Sequence, residues 1–169
     1  MNAILFLMQQ HRQVKANLKR LQVSPDKRGL LIEIANSLSA HMAIEQNIFY
    51  PAARRADEEL VIESFEEHAL AELALRRLLA TDPKDEAFVA RVTVLRTLLE
   101  RHIEEEEESL FPKVERALGK ERLVTLGNEM KSSFDAAFER GYGALRKTGR
   151  TTADIAENRV LAMQNGGSR

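Results

Sequence analysis

The sequence predicts an all-α fold: an antiparallel up-down four-helix bundle with an additional C-terminal helix. Three observations predict it. Only 4 prolines and 8 glycines interrupt 169 residues, leaving long stretches free of helix breakers. Apolar residues recur at helical rather than alternating spacing. The chain also contains an approximate duplication of a helical hairpin, which is the natural half of a bundle.

The first helix is expected over about Asn2 to Gln22. Ile4, Leu7, His11, Val14, Leu18 and Leu21 alternate by three and four, the inward seam of a bundle helix. Ser24-Pro25-Asp26 is the turn. The second helix is expected over about Lys27 to Arg55, with Leu31, Ile34, Leu38, His41, Glu45, Ile48 and Ala52 inward. Pro51 lacks an N–H and should disturb regular hydrogen bonding near Phe49. The third is expected over about Glu58 to Ala80. It has two candidate seams: Phe65, His68, Glu72, Leu75 and Leu79, or Val61, Ser64, His68, Ala71, Leu75 and Leu78. Thr81-Asp82-Pro83 closes it, and Asp82 or Asp85 can cap the next helix. The fourth is expected over about Lys84 to Leu118, with Phe88, Val92, Leu95, Leu99, His102 and Glu106 inward and Pro112 interrupting it.

A fifth amphipathic helix is expected over about Lys120 to Arg146. It carries Leu123, Met130, Phe134, Phe138 and Leu145. Four helices already close a bundle, so it should pack across them or join a second copy as a homodimer. The organisation read from the chain is therefore a bundle over 1–118, an additional helix over 119–147 and a polar tail over 148–169, partly disordered.

Composition excludes several functions. The formal net charge is −1, so no basic excess points to nucleic acid. No segment is long and apolar enough to span a membrane, and the N-terminus lacks the features of a secretion signal. The chain has no cysteine, which removes disulfides, thiolate metal sites and cysteine nucleophiles. A soluble, cytoplasmic protein is expected. There is no Gly-rich phosphate loop, no His-Glu-x-x-His motif and no Ser-centred elbow.

The duplication carries the chemistry. His41 and Glu45 are followed by Phe49-Tyr50-Pro51; His102 and Glu106 are followed by Leu110-Phe111-Pro112. Met8, His11, Leu18, Arg20 and Leu21 likewise match Phe65, His68, Leu75, Arg77 and Leu78. Residues i and i+4 share a helix face, so each His-x-x-x-Glu presents an imidazole and a carboxylate to one point. A buried unpaired carboxylate costs several kcal/mol, on the order of the penalty for an isolated charge, and a metal pair would compensate it. A single inward histidine is more often a hydrogen-bonded core residue than a ligand. Here all 4 histidines of the chain fall on inward seams of four successive helices, and two repeat the same Glu offset. Of the run Glu104 to Glu108, only Glu106 lies on the core line; the rest reads as a solvated acidic face. Glu72, four residues after His68, is either a ligand or a surface partner of Arg76. The ferritin-like di-iron proteins use a different spacing and more carboxylate.

The pattern of a His, a His-x-x-x-Glu, a His and a second His-x-x-x-Glu on consecutive helices resembles the hemerythrin-like HHE cation-binding domains. The match covers about Met1 to Leu118. The resemblance implies two Fe ions, as an oxo- or hydroxo-bridged pair. It implies that His11 and His41 bind one iron, His68 and His102 the other, and that Glu45 and Glu106 bridge them. Zinc is the alternative metal, but six or seven ligands exceed one tetrahedral zinc. Dioxygen-carrying members have a further His where this chain has Glu72. An anionic ligand there favours the oxidised state, and a non-ligand leaves one iron open. Both point away from dioxygen carriage and towards dioxygen, peroxide or nitric oxide sensing or detoxification, or iron handling. A catalase- or peroxidase-like enzyme and a helical interaction module with a structural metal are the alternatives.

Overall fold

The structure, a computed structural model, describes residues 1–147, and side chains through residue 143. The expected polar tail at 148–169 lies outside the described residues. Helix α1 spans Ala3–Val23, α2 Lys27–Ile44, α3 Tyr50–Ala53, α4 Glu58–Leu79, α5 Ala87–Glu105 and α6 Phe111–Lys147. Helices α1, α2, α4 and α5 pack in a closed ring, each against its neighbours, and α6 lies against α1 and α2. Among the described residues there is no strand, and no helix is long and apolar enough to cross a membrane.

Side-chain caps set the helix starts. Asn2 accepts from the Ile4 N–H at 2.9 Å, Asp26 from Gly29 at 2.8 Å and Asp57 from Leu60 at 3.0 Å. Each satisfies an N–H that the helix itself leaves unpaired. Asp85 accepts from the Ala87 N–H at 2.8 Å, so α5 begins at Ala87 rather than near Lys84.

The expected inward seams of α1 and α5 are buried throughout. On α4 the two candidate seams both hold except at Leu79, which is only partly covered: Val61, Ser64, Phe65, His68, Ala71, Glu72, Leu75 and Leu78 are all buried. The stripe is wide because α4 meets both α2 and α5.

The second helix departs from its expected seam. Past Ile44 one turn widens to i→i+5 hydrogen bonding over Glu45–Phe49, and the Tyr50 N–H donates to the Glu45 carbonyl. A second wide turn occupies Glu106–Leu110, with the Phe111 N–H donating to Glu106. Each begins at the seam glutamate and ends just before Pro51 or Pro112. Proline cannot donate, and its ring crowds the carbonyl four residues back; widening the turn moves that carbonyl away. The extra residue shifts the inward face by one position. Phe49 and Ala53 are therefore buried where Ile48 and Ala52 were expected, and the latter two are only partly covered.

Residues 111–118 continue the line of α5. Gly119 then takes φ +72° and ψ 170°, a conformation that side chains rarely tolerate, and the chain reverses. The following segment buries Leu123, Leu126 and Met130 among Ala3, Ile4, Phe6 and Leu7 of α1. Gly127 lies against the backbone of residues 1–3, and the Tyr142 N–H donates to the Asn36 side chain of α2 at 2.9 Å. The segment thus runs the same way as α1 and fills the α1–α2 groove.

Candidate metal centre

The core is split in two. One cluster gathers Leu7, Phe49, Tyr50, Phe65, Leu110 and Phe111; the other gathers Val14, Leu38, Met42, Leu75, Leu95 and Ile103. Between them lies a band of buried polar residues: His11, His41, Glu45, His68, Glu72, His102 and Glu106, none more than 6% exposed.

The four imidazoles form two pairs. The rings of His11 and His41 are 5.0 Å apart, and those of His68 and His102 are 4.6 Å apart. Glu45 reaches both pairs: Oε2 lies 3.1 Å from His41 Nε2 and 3.3 Å from His68 Nε2, and Oε1 lies 3.9 Å from His11 Nε2. Glu106 Oε2 also reaches both, at 3.3 Å from His11 Nε2 and 3.6 Å from His102 Nε2. His11, His41 and Glu45 form one group of converging ligand atoms, and Glu45, His68 and His102 form another. Glu72 is buried one turn beyond His68 but belongs to neither group.

All four imidazoles present Nε2 inward and hold Nδ1 outward. His11 Nδ1 donates to Glu107 Oε1, His41 Nδ1 to Gln10 Oε1 and His102 Nδ1 to Glu67 Oε2, each at 2.8 Å. Carboxylate and amide oxygens only accept, so in the neutral, ligating form of these three the proton belongs on Nδ1 and the Nε2 lone pair faces the centre. His68 Nδ1 meets the Gln46 amide at 3.2 Å. The pattern follows the duplication. The residue before each lone histidine (Gln10, Glu67) holds the histidine of its own hairpin's second helix. The residue after each glutamate (Gln46, Glu107) holds the lone histidine of the other hairpin.

The seam pattern does not single out these outer partners. Glu107 reads there as part of the solvated face, yet it anchors His11. Their offsets, one before the lone His and one after the Glu, repeat in both halves and are the signal that the sequence offers. Tyr50 is likewise a site residue that the seam does not name. Its hydroxyl donates to Glu106 Oε1 at 2.8 Å and lies 3.1 Å from His68 Nε2. In a regular α-helix the fifth residue after Glu45 would point away; the wide turn brings it in. Its counterpart Phe111 instead stacks on His11, with centroids 5.8 Å apart.

Electrostatics show what the site demands. Burial alone would lower the His11 pKa, but Glu106 and Glu45 outweigh it and push it up to about 10. Burial would raise Glu45, but His41, His11 and His68 hold it well below the usual carboxylate range. Burial, with Glu106 and Glu45, drives the Tyr50 phenol well above its ordinary value. His11 Nε2, both oxygens of Glu45 and Glu106 Oε2 are buried without a hydrogen-bond partner. Buried polar atoms are rarely left so. Inward lone pairs, orphaned carboxylate oxygens and a mixed imidazole–carboxylate donor set fit a pair of divalent or trivalent cations.

Comparison with known proteins agrees. The description "Hemerythrin HHE cation binding domain" matches residues 2–114. A search of curated proteins gave no match. The crystal structure of a hemerythrin HHE cation-binding domain-containing protein from Mycobacterium kansasii superposes with a TM-score of 0.76 at 25% identity, covering 93% of this chain and 98% of that one. With two thirds of its length inside the matched region, the chain belongs to the hemerythrin HHE cation-binding domain family.

Proposed function

We propose that this chain binds two irons, with His11 and His41 on one, His68 and His102 on the other, and Glu45 and Glu106 bridging them. Its role is then to sense or remove peroxide, nitric oxide or dioxygen, or to handle iron, rather than to carry dioxygen. One observation carries the reading. Four inward Nε2 atoms converge on two buried carboxylates, and each carboxylate reaches imidazoles of both hairpins. That number of donors exceeds what one tetrahedral zinc takes. When bound, an iron pair supplies redox chemistry. Glu72 stands where the dioxygen-carrying members of the family have a further histidine, which argues against reversible carriage.

Tyr50 favours a second reading, a catalase- or peroxidase-like enzyme. Its hydroxyl sits inside the site against Glu106, and its raised pKa keeps it protonated at neutral pH. It is a hydrogen-bond donor placed where a small oxygen-containing molecule would be handled.

The deciding experiment is aerobic purification followed by metal content per chain and the visible spectrum. About two irons per chain, with near-ultraviolet bands of a bridged ferric pair, are expected. One zinc, or no metal after anaerobic ferrous loading, overturns the di-iron reading. Peroxide turnover by the iron-loaded protein selects the enzyme; its absence leaves sensing, nitric oxide chemistry or iron handling.

A further inference from the structure

The α1–α2 groove is filled by the chain's own α6. The pseudo-twofold that relates the two hairpins creates an equivalent groove between α4 and α5, and α6 does not fill it. That groove encloses about 440 Å³ and is walled by Leu70, Leu73 and Ala74 on α4 and by Ala90, Val94 and Leu98 on α5. Leu70 is 53% exposed, Leu73 49% and Val94 56%. A contiguous apolar strip of this kind marks an association surface.

The charges around it name the partner. Glu66, Leu70, Leu73 and Arg77 are spaced by four, three and four, so they form one stripe along α4. Glu66 and Arg77 are exposed, and neither has an ion pair within the chain among the described residues. Read backwards, the stripe is Arg-Leu-Leu-Glu. The same surface turned end for end is therefore its own complement, in apolar contact and in charge. A twofold axis across the middle of α4 sets Leu70 against the second copy's Leu73 and Glu66 against its Arg77. That is an isologous contact, the commonest symmetry of protein pairs.

We propose that a second copy of this chain docks on the α4–α5 face, with the two α4 helices antiparallel. The homodimer then forms here rather than through the C-terminal helix, where the sequence suggested it. The C-terminal helix has already placed Leu123, Leu126 and Met130 in its own core. The proposal does not depend on which metal the centre holds.

The test is sedimentation of the purified full chain from low micromolar to several hundred micromolar, at matched metal content. A concentration-dependent dimer is expected. Leu70→Glu should leave a monomer with unchanged helicity. Glu66→Arg alone and Arg77→Glu alone should each weaken the dimer roughly tenfold, since two exposed pairs turn from attraction to repulsion. The double swap should restore wild-type affinity, because the pairs re-form with reversed sign. A chain that stays monomeric overturns the proposal, including one whose α4 face is covered by another of its own segments. A dimer indifferent to Leu70→Glu and to the single swaps also overturns it. A double swap that fails to restore affinity overturns the antiparallel register.

Discussion

Glu107 closes on Nδ1 of His11 at 2.8 Å from the opposite hairpin. A glutamate in an acidic surface run thereby fixes the orientation of a histidine that is wholly buried. Outer partners of this kind typically set metal affinity within a factor of about 10 to 100.

Glu107→Gln should keep the fold and still accept the Nδ1 proton, but without the charge that makes His11 a better donor. Metal affinity should fall by roughly tenfold. Glu104→Gln, on the exposed side of the same run, should change nothing. Competition with a chelator, followed by metal analysis, reads both. Equal retention in the two variants would remove Glu107 from the centre.

Tyr50→Phe keeps the ring that packs edge-on against Phe65, with centroids 5.2 Å apart. It removes the donor to Glu106. The bundle should lose about 1–3 kcal/mol, the cost of leaving a buried acceptor without its partner. The visible spectrum of the iron-loaded protein and its reaction with peroxide should both change. Stopped-flow absorbance of both proteins mixed with peroxide checks this. Identical traces would confine Tyr50 to packing.

Gly127 is where α6 meets the N-terminus. A Cβ added there would collide with the Met1 carbonyl oxygen and lie 2.7 Å from the Ala3 N. These are backbone atoms and cannot swing aside. Gly127→Ala should therefore destabilise the chain by about 1–3 kcal/mol, as overpacking does, despite alanine's better helix propensity. Urea unfolding measures it. A gain in stability would show that the contact between α6 and the first residues is loose.

Asp57 caps α4 and pairs with Lys113 at 2.6 Å. The Lys113 contact, with the Leu60 N–H, lowers its carboxyl pKa below the ordinary value. A depressed folded-state pKa adds stability that is complete above the unfolded value of about 3.9 and is lost as pH falls through the folded value. Lys113→Met should thus be less stable than wild type at pH 6. The gap should close as the pH drops into the acid range, and urea midpoints across that range track it. A gap that persists at low pH would mean that Lys113 acts through packing rather than charge.

The four bundle helices, most of their inward seams and the buried positions of His11, His41, Glu45, His68, His102 and Glu106 were legible in the sequence. A 3.6-residue period forces i and i+4 onto one face, and the duplicated hairpin repeats that face twice. The rest required the tertiary structure. The wide turns at Glu45 and Glu106 change the period locally, so extrapolating the seam misplaces Ile48 and Ala52 and hides Tyr50. The path of α6 over α1 and α2 depends on a reversal at Gly119 and on a close approach at Gly127. The partners of the four Nδ1 atoms come from other helices, up to 96 residues away in the pair of His11 and Glu107. Periodicity reports which way a side chain points along its own helix. What it meets there is decided by how the helices pack.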